Sequence, residues 1–155
     1  MADHRASVSR RRSRHEEPLP PYRFGIDPGP HPTRDPRGHS FGAEEPPDRA
    51  SAVARGALLF DHGYYWEAHE AWEGPWRQLP AGDPTRSFLQ ALIQAAAVWL
   101  KRVQGKTSSA ERLRERAAAH LAAARTGGVS AVEGVTVDAV ERALLARSAP
   151  RLTER

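Results

Sequence analysis

Phe88–Val103, F-L-Q-A-L-I-Q-A-A-A-V-W-L-K-R-V, is the stretch that decides the fold. On a helical wheel only Gln90, Gln94 and Lys101, with Ala97, share a polar stripe of roughly 60°, and a helix apolar on nearly every other side belongs at the centre of a bundle. Asp83-Pro84 opens it as an N-cap followed by proline at the first helical position, and Gly105 closes it after about Gln104.

The flanking sequence supplies its neighbours. Asp48 caps a first helix whose Val53, Ala57, Leu58 and Phe60 recur near helical spacing until Gly63. A second helix runs from about Tyr64 to Gln78, with Gly74-Pro75 expected to kink or end its regular part. Ser108 and Glu111 read as a capping box for a fourth helix, rich in alanine and ending before Gly127-Gly128. Thr136 caps a short fifth carrying Val137, Val140 and Leu144, and Pro150 closes the ordered part. No strand pattern is evident. The expected fold is all-α: a compact bundle of about five helices over residues 48–148, with a tail at 149–155.

Residues 1–47 hold nine prolines and no periodicity, and are expected to form a disordered arm. Its first fourteen residues carry five arginines against one aspartate, a patch able to touch RNA, anionic lipid or an acidic protein. Net charge is only +4, however, and acidic residues are interspersed among the arginines, so nucleic acid is not an expected partner. No apolar run follows the basic start, which excludes a signal peptide or membrane anchor there. With no cysteine in the chain, thiolate metal sites, disulfides and cysteine nucleophiles are excluded, and a cytoplasmic address is favoured. A homo-oligomer is compatible with the sequence.

Chemistry concentrates in the second helix, Y64-Y-W-E-A-H-E-A-W-E-G-P-W76. At about 100° per residue, Tyr65, Trp66, His69, Trp72, Glu73 and Trp76 share one arc. Glu67 and Ala71 are expected to face water, with Glu70 and Arg77 on the shoulder. His69 and Glu73, one turn apart, can hydrogen-bond to each other, and buried they need partners.

Three readings of the pair follow. It is a structural network in which Gln90 or Gln94 supplies donors and acceptors. Or it ligates a metal, since His69-Glu70-x-x-Glu73 is half of the zinc-protease His-Glu-x-x-His pattern, with His62 and Asp61 available for recruitment. Or it is a small-ligand or acid/base site walled by Trp66 and Trp72. His120 is expected to be packed or half-exposed without a role, and His4, His15, His31 and His39 are too dispersed for a metal tract.

The combination A-R-G-x-x-L-F-D-H-G-x-Y-W-E-A-H-E-x-W-E-x-x-W, F-L-Q-A-L-I-Q-A-A-A and G-x-x-x-x-A-x-R-L resembles the domain of unknown function 309 family of bacterial and archaeal proteins, over roughly residues 50 to 146. The resemblance implies an all-α fold and a polar cluster at His69, Glu70, Glu73, Trp76, Gln90 and Gln94. It implies no reaction. The sequence is therefore read as a binding or assembly module, with Trp66, Trp72, Trp76, Gln90 and Gln94 as binding residues and no cofactor expected. One alternative is a metal-dependent hydrolase with His69 and Glu73 as ligands and Glu70 as base; the other is an RNA-associated protein acting through the basic arm.

Overall fold

The computed structural model describes residues 17–44 and 48–153. Asp48, in extended conformation, accepts a hydrogen bond from the Ser51 N–H and starts α1 (Arg49–Asp61). Then follow α2 (Tyr65–Arg77), α3 (Pro84–Val103), α4 (Thr107–Thr126) and α5 (Val137–Leu145). Asp83 caps α3 through the Thr85 N–H, and Thr136 caps α5 through Ala139 N–H, as their positions before the apolar runs predict.

Helix α3 is the axis of the bundle. It buries Phe88, Leu89, Leu92, Ala95, Ala96, Val98 and Trp99 and packs against α2, α4 and α5, while α1 packs on α2. Each fully buried Leu or Phe contributes about 1.5–3 kcal/mol of apolar transfer, so this one helix supplies a large share of the drive to fold. Small residues let α4 approach it closely, with Ala110, Ala117 and Ala124 at the contact. Trp99 meets its polar requirement by donating from Nε1 to the Ala143 carbonyl of α5 at 2.9 Å. Among the described residues no helix is long and apolar enough to cross a membrane.

The local differences from expectation have plain causes. Gly105, at φ 74°, lets Lys106 N–H reach back to the Lys101 carbonyl, so α3 closes in a tight turn and α4 begins at Thr107. Ser108 then lies inside the first turn. No side-chain cap forms, and Glu111 pairs with Arg114 instead. Helix α2 continues through Pro75 to Arg77. A hairpin joins α4 to α5: Ala131–Val132 (β1) and Val135–Thr136 (β2) pair antiparallel around Glu133-Gly134, both at positive φ. In the tail, Leu152 is buried in the core, and Asp61 accepts from Leu152 N–H at 2.6 Å and from Thr153. Order therefore extends past Pro150.

The largest difference lies in residues 17–44. They form no helix or strand, as the missing periodicity predicts, yet they are fastened along the bundle. Arg55 donates to the Glu17 and Pro18 carbonyls, Tyr64 to that of Pro20, and Gln104 to that of Gly25. Arg23 grips Asp27 through two side-chain bonds at 2.9 and 3.0 Å, which holds the Asp27 carboxyl down at about 2. Tyr22 bridges the Pro30 carbonyl and the His39 N–H. The expected arm at 1–16 and 45–47 lies outside the described residues.

Candidate ligand site on helix α2

Helix α2 is gripped on two sides. Toward α1 its anchor is Trp72, fully buried, with Nε1 donating to the Val53 carbonyl at 3.2 Å. Gly56 makes room for it, since a Cβ there would lie 2.2 Å from that nitrogen. Trp72 is thus a core residue rather than a wall of the site.

On the other side stands Glu67, expected in water and found 5% exposed. Its Oε2 accepts from Phe24 N–H at 3.0 Å and lies 2.8 Å from His39 Nε2, whose side chain is 2% exposed. Its Oε1 is buried without a hydrogen-bond partner. The wheel failed at Glu67 because it had no knowledge of a covering segment. A signal was present: Tyr22, Phe24, His31 and His39 give 17–44 more aromatic rings than a solvated tail carries.

Between these grips, α2 presents His69, Glu70 and Glu73, all partly open to solvent. His69 Nε2 lies 2.9 Å from Glu73 Oε1, and its Nδ1 lies 3.8 Å from Glu70 Oε1. The other oxygen of Glu73 accepts from Arg77 at 2.9 Å, so one carboxylate is oriented from both ends. One ligand atom from each of the three residues falls within 4.8 Å of the others. Desolvation, followed by the charge of Glu73, pushes the Glu70 carboxyl above the usual range, against the opposing pull of His69, Arg77 and His31.

Trp66 borders this cluster and is held edge-on by Phe24 at 5.1 Å and His31 at 5.4 Å, with the His69 ring at 6.4 Å. His31 Nδ1 accepts from the Thr33 and Arg34 N–H groups, an arrangement that leaves Nε2 carrying the proton of the neutral ring. The segment 17–44 therefore contributes two rings to the site wall that a helix-based reading could not place.

The glutamines differ in setting. Gln90 lines a cleft of about 210 Å³ with Asp83, Arg86, Ser87 and His120, one helical turn from Gln94. Tyr65 rests on Trp99 at one end of the α2–α3 contact and Trp76 lies under the Arg86 guanidinium at the other, 4.3 Å away. The helices are thus antiparallel. Gln94 Oε1 and Trp76 Nε1 are both buried without a partner. Among the described residues, no hydrogen bond joins either glutamine to His69 or Glu73. Asp61 is committed to the C-terminal segment, His62 is exposed, and His120 is half-buried as expected.

The fold and the cluster together define an all-helical domain with an imidazole–carboxylate group on the outer face of its second helix. Residues 53–113 match the family model described as Domain of unknown function (DUF309), in line with the resemblance read from the sequence. The match runs from α1 into α4 and contains the whole cluster. No curated protein and no solved structure matches the chain.

Proposed function

We propose that this domain is a binding module that takes its ligand at His69, Glu70 and Glu73 beside Trp66. The observation that supports this is the openness of the cluster. A purely structural network between helices is sealed and satisfied, whereas these three groups stand half-exposed on a helix held rigidly by Trp72 on one side and Glu67 on the other. Rigidity of this kind lowers the ordering cost of binding. The carboxylates favour a cationic ligand.

The competing reading is hydrolysis with Glu70 as general base, supported by its raised pKa. The two are separated by titrating the full chain with zinc chloride, spermidine and tetra-arginine while following tryptophan fluorescence, alongside turnover of p-nitrophenyl esters and phosphates. Binding predicts a saturable response to at least one probe, lost in Glu73→Ala, with no turnover above buffer. Turnover that disappears in Glu70→Gln would establish an enzyme, and no response to any probe would remove the binding reading.

A further inference from the structure

We infer that the cleft between the start of α3 and the second half of α4 binds a small monocarboxylate anion, gripped by Arg86 and received by Ser87, Gln90 and His120. This site shares no residue with the cluster on α2 and does not depend on the reading above. The meeting of the two helices builds it. Gly127, just past α4, lies against Pro84, where a Cβ would come 2.4 Å from the proline ring, so α4 ends beside the start of α3. Arg86 and Gln90 stand one turn apart on α3 with Ser87 beside them, and His120 enters from α4. With Gly82 and Asp83 they line about 210 Å³.

Unmet hydrogen-bonding capacity points to a ligand. Among the described residues, the side chains of Arg86, Ser87, Gln90 and His120 have no hydrogen bond or ion pair, although all four are partly buried. Polar groups withdrawn from bulk solvent are normally paired, and here four that can donate converge on one recess. Asp83, the carboxylate at the rim, caps Thr85 N–H at 2.8 Å and makes no pair with Arg86.

Arg86 sets the class of ligand. Its guanidinium is seated on Trp76, 4.3 Å from the ring centroid, and its Nε is buried without a partner. The two terminal nitrogens remain as the reachable edge, a pair of N–H donors that matches the two oxygens of a carboxylate. Asp83 brings one negative charge to the same cleft, which disfavours a dianion such as phosphate. The volume lies below the roughly 300–1,000 Å³ of drug-sized pockets, so the acid is short.

The test titrates the full chain, labelled with nitrogen-15, with sodium acetate, sodium L-lactate and sodium phosphate at an ionic strength held constant with sodium chloride. Acetate or lactate should give saturable shifts centred on the amides of residues 82–90 and His120, with a dissociation constant on the order of 1 mM, the scale open to a ligand of about five heavy atoms. Phosphate should bind more weakly. Arg86→Lys keeps a charge over Trp76 but removes the planar fork, and it should weaken binding about fivefold or more. Gln90→Ala, at a side chain with no hydrogen bond in the protein, should do the same and keeps the test readable if Arg86→Lys disturbs Trp76. Glu111→Gln, near the other end of α4, should leave binding unchanged. Unsaturable shifts, saturable shifts that survive both site variants, or phosphate binding tighter than either carboxylate would each overturn the inference.

Discussion

Replacing Glu67 by alanine tests the least anticipated contact in the molecule. The carboxylate receives two donors on one oxygen, the Phe24 N–H and the His39 ring, in a setting where water has almost no access. Removing the acceptor of two buried hydrogen bonds leaves both donors desolvated and unpaired, at about 1–3 kcal/mol for each group. That loss has a ceiling. Residues 17–44 lie on the surface of the bundle and can lift away locally, so the global cost cannot exceed the free energy of releasing them. We therefore expect a loss of about 3 kcal/mol, or roughly 10–15 °C in melting temperature for a domain of this size. Glu67→Gln keeps an acceptor of the same shape and should lose about 1–2 kcal/mol. Urea denaturation measures the global term, and hydrogen exchange at the Phe24 amide reports local release. In a double-mutant cycle with His39→Ala, a coupling of about 1 kcal/mol or more is expected. If Glu67→Ala melts within a degree of the wild type while the Phe24 amide stays protected, the pair does not fasten the segment.

Gly56→Ala sets two effects against each other: alanine gains about 1 kcal/mol of helix propensity, but its methyl would sit 2.2 Å from Trp72 Nε1. Overpacking of this kind costs about 1–3 kcal/mol, so the variant should unfold at lower urea, and an unchanged midpoint would refute the tight Trp72 contact. Glu70 has a carboxyl raised above its ordinary value, so the folded state holds its proton more tightly than the unfolded one. Its ionised form therefore lowers stability above the folded-state titration, and the deficit fades as pH falls through that range. Glu70→Gln in the chelated protein should melt slightly higher than wild type at neutral pH and converge with it in acid; the reverse trend would show that Glu70 is not desolvated.

The five helices were legible because each carries its own local signal. Asp48, Asp83 and Thr136 announce three helix starts by side-chain capping, and the nearly all-round apolar pattern of Phe88–Val103 identifies the central helix. What escaped was non-local. Glu67 reads as a solvent residue on any wheel of α2, since the partner that buries it lies 28 residues away at His39. Proline density in 17–44 resembled disorder, although prolines also reduce the entropy lost on fixing an extended chain. Leu152 and Asp61 meet across 91 positions, which no periodicity reports. At the candidate site, the i, i+4 relation of His69 and Glu73 was visible in the spacing, but whether Gln90 and Gln94 on the shared stripe of α3 bond to that pair depends on how the two helices pack, which the wheel of either one does not report.

The fastening of residues 17–44 bears on where this domain begins. The family match starts at Val53, within α1, while the chain's contacts with the bundle reach back to Glu17 and Pro18. A fragment cut at the matched boundary would keep every helix residue of the imidazole–carboxylate cluster, yet it would lose the two rings that brace Trp66 and both donors to Glu67. Such a fragment presents a different face to a ligand: a bare indole and a solvated Glu67 where the full chain offers an indole braced by two rings and a carboxyl group covered by residues 17–44. Whether a shortened protein retains binding thus depends on sequence that a helix-by-helix dissection would discard as leader.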